Sequence, residues 1–226
     1  IYEREPDGRY VCKSRLEKML QKEYSLLEER LNRDNYNNTC YFAFADTIAT
    51  INYSKTTKGH GWMGLRFQLT PDQKPNDFII HVLLNDAEAQ LQQATVGIIG
   101  TNMLHACFNE TDPKEILKQL YDNLSKDKVQ IDMIEVLGPA FDHVDNRLLS
   151  LTLVKERMTN AVIFTPDGMN QQPSDILHKK NIVTIRGSFR PVTKVNIDML
   201  ERGLQEFKKN SKVKEDNSQE LLVQLN

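Results

Sequence analysis

The sequence predicts an α/β protein in which three antiparallel strands and two helices are followed by a βαβαβα segment, joined in one mixed sheet. Three observations lead there. First, the apolar run Val129 to Leu137 meets a Gly138-Pro139 break, then an apolar helical stretch from Val144 to Met158 and a second strand over 161–165, the order of a βαβ unit. Second, the turn-rich spacers SKTTKGHG and TPDQKPN divide three earlier strand-like runs; loops this short favour antiparallel neighbours. Third, strands and helices alternate from Lys128 onward, a pattern that argues for parallel strands linked by crossovers.

Taken in order, the first dozen residues, with Pro6 and Gly8, read as an extended arm. From Ser14, Leu16, Met19, Leu20, Tyr24, Leu27 and Leu31 recur at three- and four-residue spacings, the stripe of an amphipathic helix. Ser14 and Glu17 have the spacing of a capping box. An Asn-rich break over 32–38 precedes strands at 40–53, 62–69 and 77–84. A long helix over 86–108 is apolar on nearly every side in its second half, and Asp112-Pro113 opens a shorter one with Ile116, Leu117, Leu120 and Leu124 on one face. The second half continues with strand 129–137, helix 144–158, strand 161–165, a short helix 174–178, strand 181–186 and helix 196–209. This gives an arm and helix over 1–38, an α/β domain over 39–208, and over 209–226 a polar linker and the start of a following element, LLVQL.

With 39% apolar and 27% charged residues, the 226-residue chain has the composition of a soluble globular protein, not of a disordered, fibrous or membrane one. The longest apolar stretch, Ala94 to Phe108, is interrupted by Thr95, Gly97, Gly100, Thr101, Asn102 and His105 and falls short of the roughly 20 residues that cross a bilayer. A net charge of -2 leaves no electrostatic footprint for a phosphate backbone, and only Lys179-Lys180 with Arg186 and Arg190 hints at a basic patch, so neither nucleic acid nor membrane is an expected partner. Cys12, Cys40 and Cys107 are odd in number and far apart, which fits reduced thiols and a cytoplasmic setting better than disulfides or zinc. Four Asn-x-Ser/Thr triplets, at Asn37, Asn52, Asn109 and Asn123, have meaning only in a secreted chain. The chain starts without Met and is read as part of a longer polypeptide, whose remainder would be a partner.

The stretches HGWMGLRFQ, NDFIIHVLLND, DNLSKDKVQIDMIEVLGPAFDHVDNRLLSLTLV and KKNIVTIRGSFRPVTKVNIDML, within residues 40 to 208, resemble a family of bacterial α/β proteins roughly twice this length. Its members carry the automatic labels nicotinate-nucleotide adenylyltransferase and TonB-dependent receptor, and the resemblance implies a further α/β half. The first label implies an H/TxGH-type phosphate turn; the nearest residues are the GHG at His60, between apparently antiparallel strands. The second implies a membrane barrel, but no series of long alternating strands is present.

Three candidate sites follow. In the loop after the strand 129–137, Gly138 would let the turn approach a ligand. Asp142, His143 and Asp145 could act on protons or a metal, and Asn146 and Arg147 could grip an anion beside a helix N-terminus. There the alternative is that Asp145 caps the helix and Arg147 pairs with it. In GHGWMGLRFQ, the side chains of Trp62, Gly64, Arg66 and Gln68 share one face beside His60, a binding wall or an exposed sheet face closed by a packed Trp, while Met63, Leu65 and Phe67 face the core. Lys179, Lys180, Arg186, Ser188 and Arg190 bracket the strand 181–186 and could form an anion site or remain solvated. No metal site is expected, since His81, His105 and His178 lack ligand spacing and read as packing or surface histidines. Asp132 and Asn102, polar residues inside apolar runs, are hydrogen-bond anchors or site residues.

The function expected from these sites is binding of a small anionic metabolite, a nucleotide among the candidates, at the carboxyl ends of parallel strands. Neither a reaction nor a cofactor can be named. The alternative is a non-enzymatic assembly module that forms homo-oligomers through the N-terminal helix and the Trp62 face.

Overall fold

The computed structural model describes residues 11–34, 38–177, 180–209 and 219–225. Residues 1–10 of the arm, 35–37 of the Asn-rich break (Asn37 among them), His178, Lys179 and 210–218 of the polar linker lie outside the described residues. The chain divides into two compact units, Ile1–Gln171 and Gln172–Asn226.

The first unit is a four-stranded antiparallel sheet in chain order, β1 (Phe42–Ala49), β2 (Gly59–Phe67), β3 (Asn76–Leu84) and β4 (Val129–Leu137), with helices on both faces. Period-two alternation sorts the side chains. Met63, Leu65 and Phe67 of β2, Phe78, Ile80, Val82 and Leu84 of β3, and Ile131, Ile134 and Val136 of β4 form the larger core with α2 (Ala89–Asn109), α3 (Pro113–Gln119) and α4 (Asn146–Lys155). The opposite face carries Ala45, Trp62, Ile79 and Met133 against Leu16 and Leu20 of α1 (Lys13–Arg33). Gly64 lets α1 lie close, because a Cβ there would stand 2.7 Å from Leu20 Cδ1. Helix α1 starts one residue before Ser14, with Cys12 as its N-cap and no side-chain cap bond. The Ser14-Glu17 capping box therefore does not form.

The expected parallel run is corrected. β4 pairs antiparallel with β3, while β5 (Ile163–Phe164) is two residues long and pairs with β6 (Asn170–Gln171) as a separate antiparallel ribbon. No described strand lies on the outer edge of β4, because other groups use its backbone. Met158 O accepts from Ile131 N–H, Asn170 Nδ2 donates to Ile134 O, and Asn146 accepts from Val136 N–H through Oδ1 while its Nδ2 donates to Val136 O, both at 2.9 Å. Side-chain amides thus block the edge that a βαβ crossover would have extended.

In the second unit, α5 (Pro173–Leu177) precedes β7 (Asn181–Gly187), α6 (Lys194–Lys209) and β8 (Gln219–Leu225). β7 and β8 pair in parallel from Asn181↔Gln219 to Gly187↔Leu225, the chain's parallel pair among the described strands. The strand read from sequence as the start of a following element pairs with β7 inside this unit. Val195, Ile197 and Met199 of α6 are exposed.

Among the described residues, no helix is long and apolar enough to cross a membrane.

Candidate functional site

β4 ends in a tightly built turn. Gly138 sits at φ 107°, a conformation that favours glycine, and a Cβ there would lie 2.6 Å from Pro75 O. Buried Asn76, at the start of β3, accepts from Ala140 N–H at 2.8 Å. The 3-10 turn Pro139–Phe141 is thereby fastened to β3 before the chain enters α4.

A cleft of about 670 Å³ opens beyond this turn. β2 and β4 run the same way with β3 between them, and both deliver residues to the cleft just past their carboxyl ends: Leu69 after β2, and Ala140, His143, Val144 and Asp145 after β4. The far wall is the start of α3, with Thr111, Pro113 and Lys114, while Leu148 and Leu149 of α4 complete an apolar floor. Two helices therefore begin at one cleft. The Asp112 carboxylate accepts from Lys114 N–H and Asp145 from Arg147 N–H, each at 2.9 Å, so both helices are capped by acids. Lys114 and His143 supply the basic groups at the rim.

The other sequence-predicted residues take different places. Arg147 turns away into a two-point ion pair with Asp145, Nη2 to Oδ2 at 2.7 Å and Nε to Oδ1 at 3.1 Å, and its side chain packs on Gly168. Hydrogen bonds from Arg147 hold the Asp145 carboxyl down at about 2. This is the cap and salt bridge that the sequence offered as the alternative. Asn146 is occupied by Val136. Asp142 is exposed and outside the cleft lining. Arg186, Ser188 and Arg190 are exposed in the second unit, at the end of β7 and in the turn that follows.

Trp62 is 3% exposed and packs under α1, so the proposed binding wall is an interior face and not a surface for partners. Arg66, opposite Asp77 in the β2-β3 register, makes a two-point ion pair with it at 2.7 Å per contact. His60 stands on this side with its ring 5.7 Å from that of His81.

Sequence reasoning missed one feature here. His81, fully buried, has Nδ1 2.6 Å from Asp132 Oδ1 and its ring 4.9 Å from the Trp62 ring. The register shifts between His81 and Val82, so that Asp132 is the extra residue of a β-bulge and its carboxylate reaches across to His81. Asp132 is thus an anchor whose partner lies 51 residues away in the chain. Asn102 is an anchor too, donating to Leu120 O at 3.0 Å and Asp122 O at 2.8 Å. Among the described residues, no group of three or more His, Cys, Asp or Glu side chains could hold a metal ion.

No family model, curated protein or solved structure matches this chain.

Proposed function

We propose that the first unit binds a small molecule with an anionic group and an apolar body, a nucleotide among the candidates, in the cleft beyond β2 and β4. The observation that carries this reading is the shape and chemistry of that hollow. Its volume of about 670 Å³ falls in the range of small-ligand sites, and a mainly apolar floor with a few convergent polar groups is their usual make-up. Lys114 and His143 would meet the anion, while Leu69, Pro113, Val144 and Leu148 would cover the body; the Asp112 and Asp145 carboxylates, which also line the cleft, are engaged by the backbone amides of Lys114 and Arg147. The cysteines are all free thiols, which supports a reducing, cytoplasmic setting.

The test is a thermal-shift panel of mononucleotides, sugar phosphates and aliphatic carboxylates, read through Trp62, the chain's single tryptophan and a first-unit residue. A ligand present at a hundred times its Kd should stabilise the unit by about 2.7 kcal/mol. Lys114→Ala should weaken that gain without changing the unliganded melt. A panel without any shift refutes the proposal.

A second reading, an assembly module, is favoured by a different observation: α2 carries no Asp, Glu, Lys or Arg over its 21 residues, yet Leu91, Leu104 and Phe108 are exposed on it.

A further inference from the structure

We infer that two copies of the chain pair through the outward faces of their α2 helices, antiparallel and centred on Thr101. This rests on the assembly reading above and names its partner. A helix on a protein surface ordinarily shows a polar, charged outer face, whereas one that is hydrophobic all round is buried; the outer face of α2 is polar in part, through Gln90, Gln93 and His105, but carries no acidic residue, lysine or arginine. Helix α2, AQLQQATVGIIGTNMLHACFN, has no Asp, Glu, Lys or Arg. Its inner side is filled by Ile99, Met103, Ala106 and Cys107, and its outer side presents Ala94, Gly97, Thr101, Leu104 and Phe108 to solvent.

The outer side has both a hollow and a knob to fit it. Ala94, Gly97, Ile98 and Thr101, with the turn at 122–123, line a groove of about 490 Å³, and a Cβ added to Gly97 would meet nothing within 4 Å. Phe108, 70% exposed, has one side of its ring against Phe42 of β1, with centroids 5.8 Å apart, and stands two turns further along with its other side open. In an antiparallel pair about Thr101, position 108 comes opposite position 94 and position 105 opposite position 97. Each Phe108 then enters the other copy's groove. Each His105 comes beside the other copy's Asp122 on the groove lip, an imidazole facing a carboxylate. A two-fold contact sets a face against itself, so a charged face would repel its copy; this one has no like charges to oppose. Small side chains at the centre allow the helix axes to come close.

Analytical ultracentrifugation of the full chain tests the arrangement. The wild type should sediment at twice its 26.1 kDa mass. Phe108→Lys, which removes the knob at an exposed position, and Gly97→Leu, which fills the groove where space exists, should each return the chain to single mass with native Trp62 fluorescence. Thr101→Cys, on the axis, should give a disulfide-linked dimer under mild air oxidation when the wild type, with its own three cysteines, does not. A wild type at single mass throughout overturns this pairing and the assembly reading together. A dimer that survives both variants, or a Thr101→Cys chain that does not cross-link, overturns the pairing alone.

Discussion

Asn146→Ala is the sharpest test of how the cleft is held. The Asn146 amide satisfies both backbone groups of Val136, a residue that is 2% exposed. Truncation removes two hydrogen bonds, each with a net value of about 1 kcal/mol, and leaves a buried N–H and C=O whose desolvation costs about 1–3 kcal/mol apiece when no partner replaces the lost one. Some relaxation toward solvent at the sheet edge is available, so the expected loss is about 2–4 kcal/mol. Asn146 O also accepts from Asn170 Nδ2 at 3.1 Å, but that bond uses backbone and survives the substitution. The measurement is equilibrium urea denaturation followed by Trp62 emission, which reports the first unit and avoids treating a two-unit chain as one transition. The midpoint should fall with little change in slope. Ligand affinity, measured where the native fraction is saturated, should be unchanged, because the residue clamps β4 and is not aimed at the cleft. A loss below about 1 kcal/mol would mean that water takes the amide's place and that the blocked edge is not a real constraint.

Further outcomes follow from the same geometry. Gly61→Ala should abolish soluble expression, since its Cβ would sit 2.5 Å from both Ile48 Cα and Thr47 O, backbone that cannot yield without separating β1 from β2. Thiol labelling of the native chain should reach Cys40, which is half-buried, well before Cys107, which is fully buried with its thiol pushed up to about 12 by desolvation. The Asp145 carboxyl should titrate near 2 by carbon-13 NMR and move up in Arg147→Ala. Its pKa is depressed in the fold, so the stabilisation it gives α4 is complete above the ordinary carboxylate value and fades as pH falls from about 4 toward 2. An unmoved titration in that variant would break the assigned cause.

Much of the fold was legible because it depends on local pattern. Strand periodicity assigns Met63, Leu65 and Phe67 to the core they occupy, and the bounds of β4 agree with the apolar run from Val129 to Leu137. The direction of β4 was not legible. A strand, a break, a helix and a strand read as a crossover only if the second strand is long enough to pair beside the first, and here it is two residues. What takes the vacant edge is a pair of asparagine amides, and no periodicity reveals a side chain that substitutes for a strand.

The same division holds for the cleft. His143 and Asp145 could be suggested from sequence because they follow a strand directly, whereas Leu69, Thr111 and Lys114 come from two other connections and meet them only through the chain's course in space. A charged residue near a strand end does not by itself mark a ligand site in this fold. Arg147 and Arg66 both spend their guanidinium groups on carboxylates within reach of the same element or its neighbour, and a planar fork that already holds two oxygens has little left for a ligand. The most informative signal was instead a lack of charge. The helix α2 runs for 21 residues without Asp, Glu, Lys or Arg, and the sequence marks its second half as apolar on nearly every side. The fold buries one side of it only, so what covers the other side becomes a question about a second molecule, to which Phe108 and the hollow at Gly97 supply matching halves of an answer.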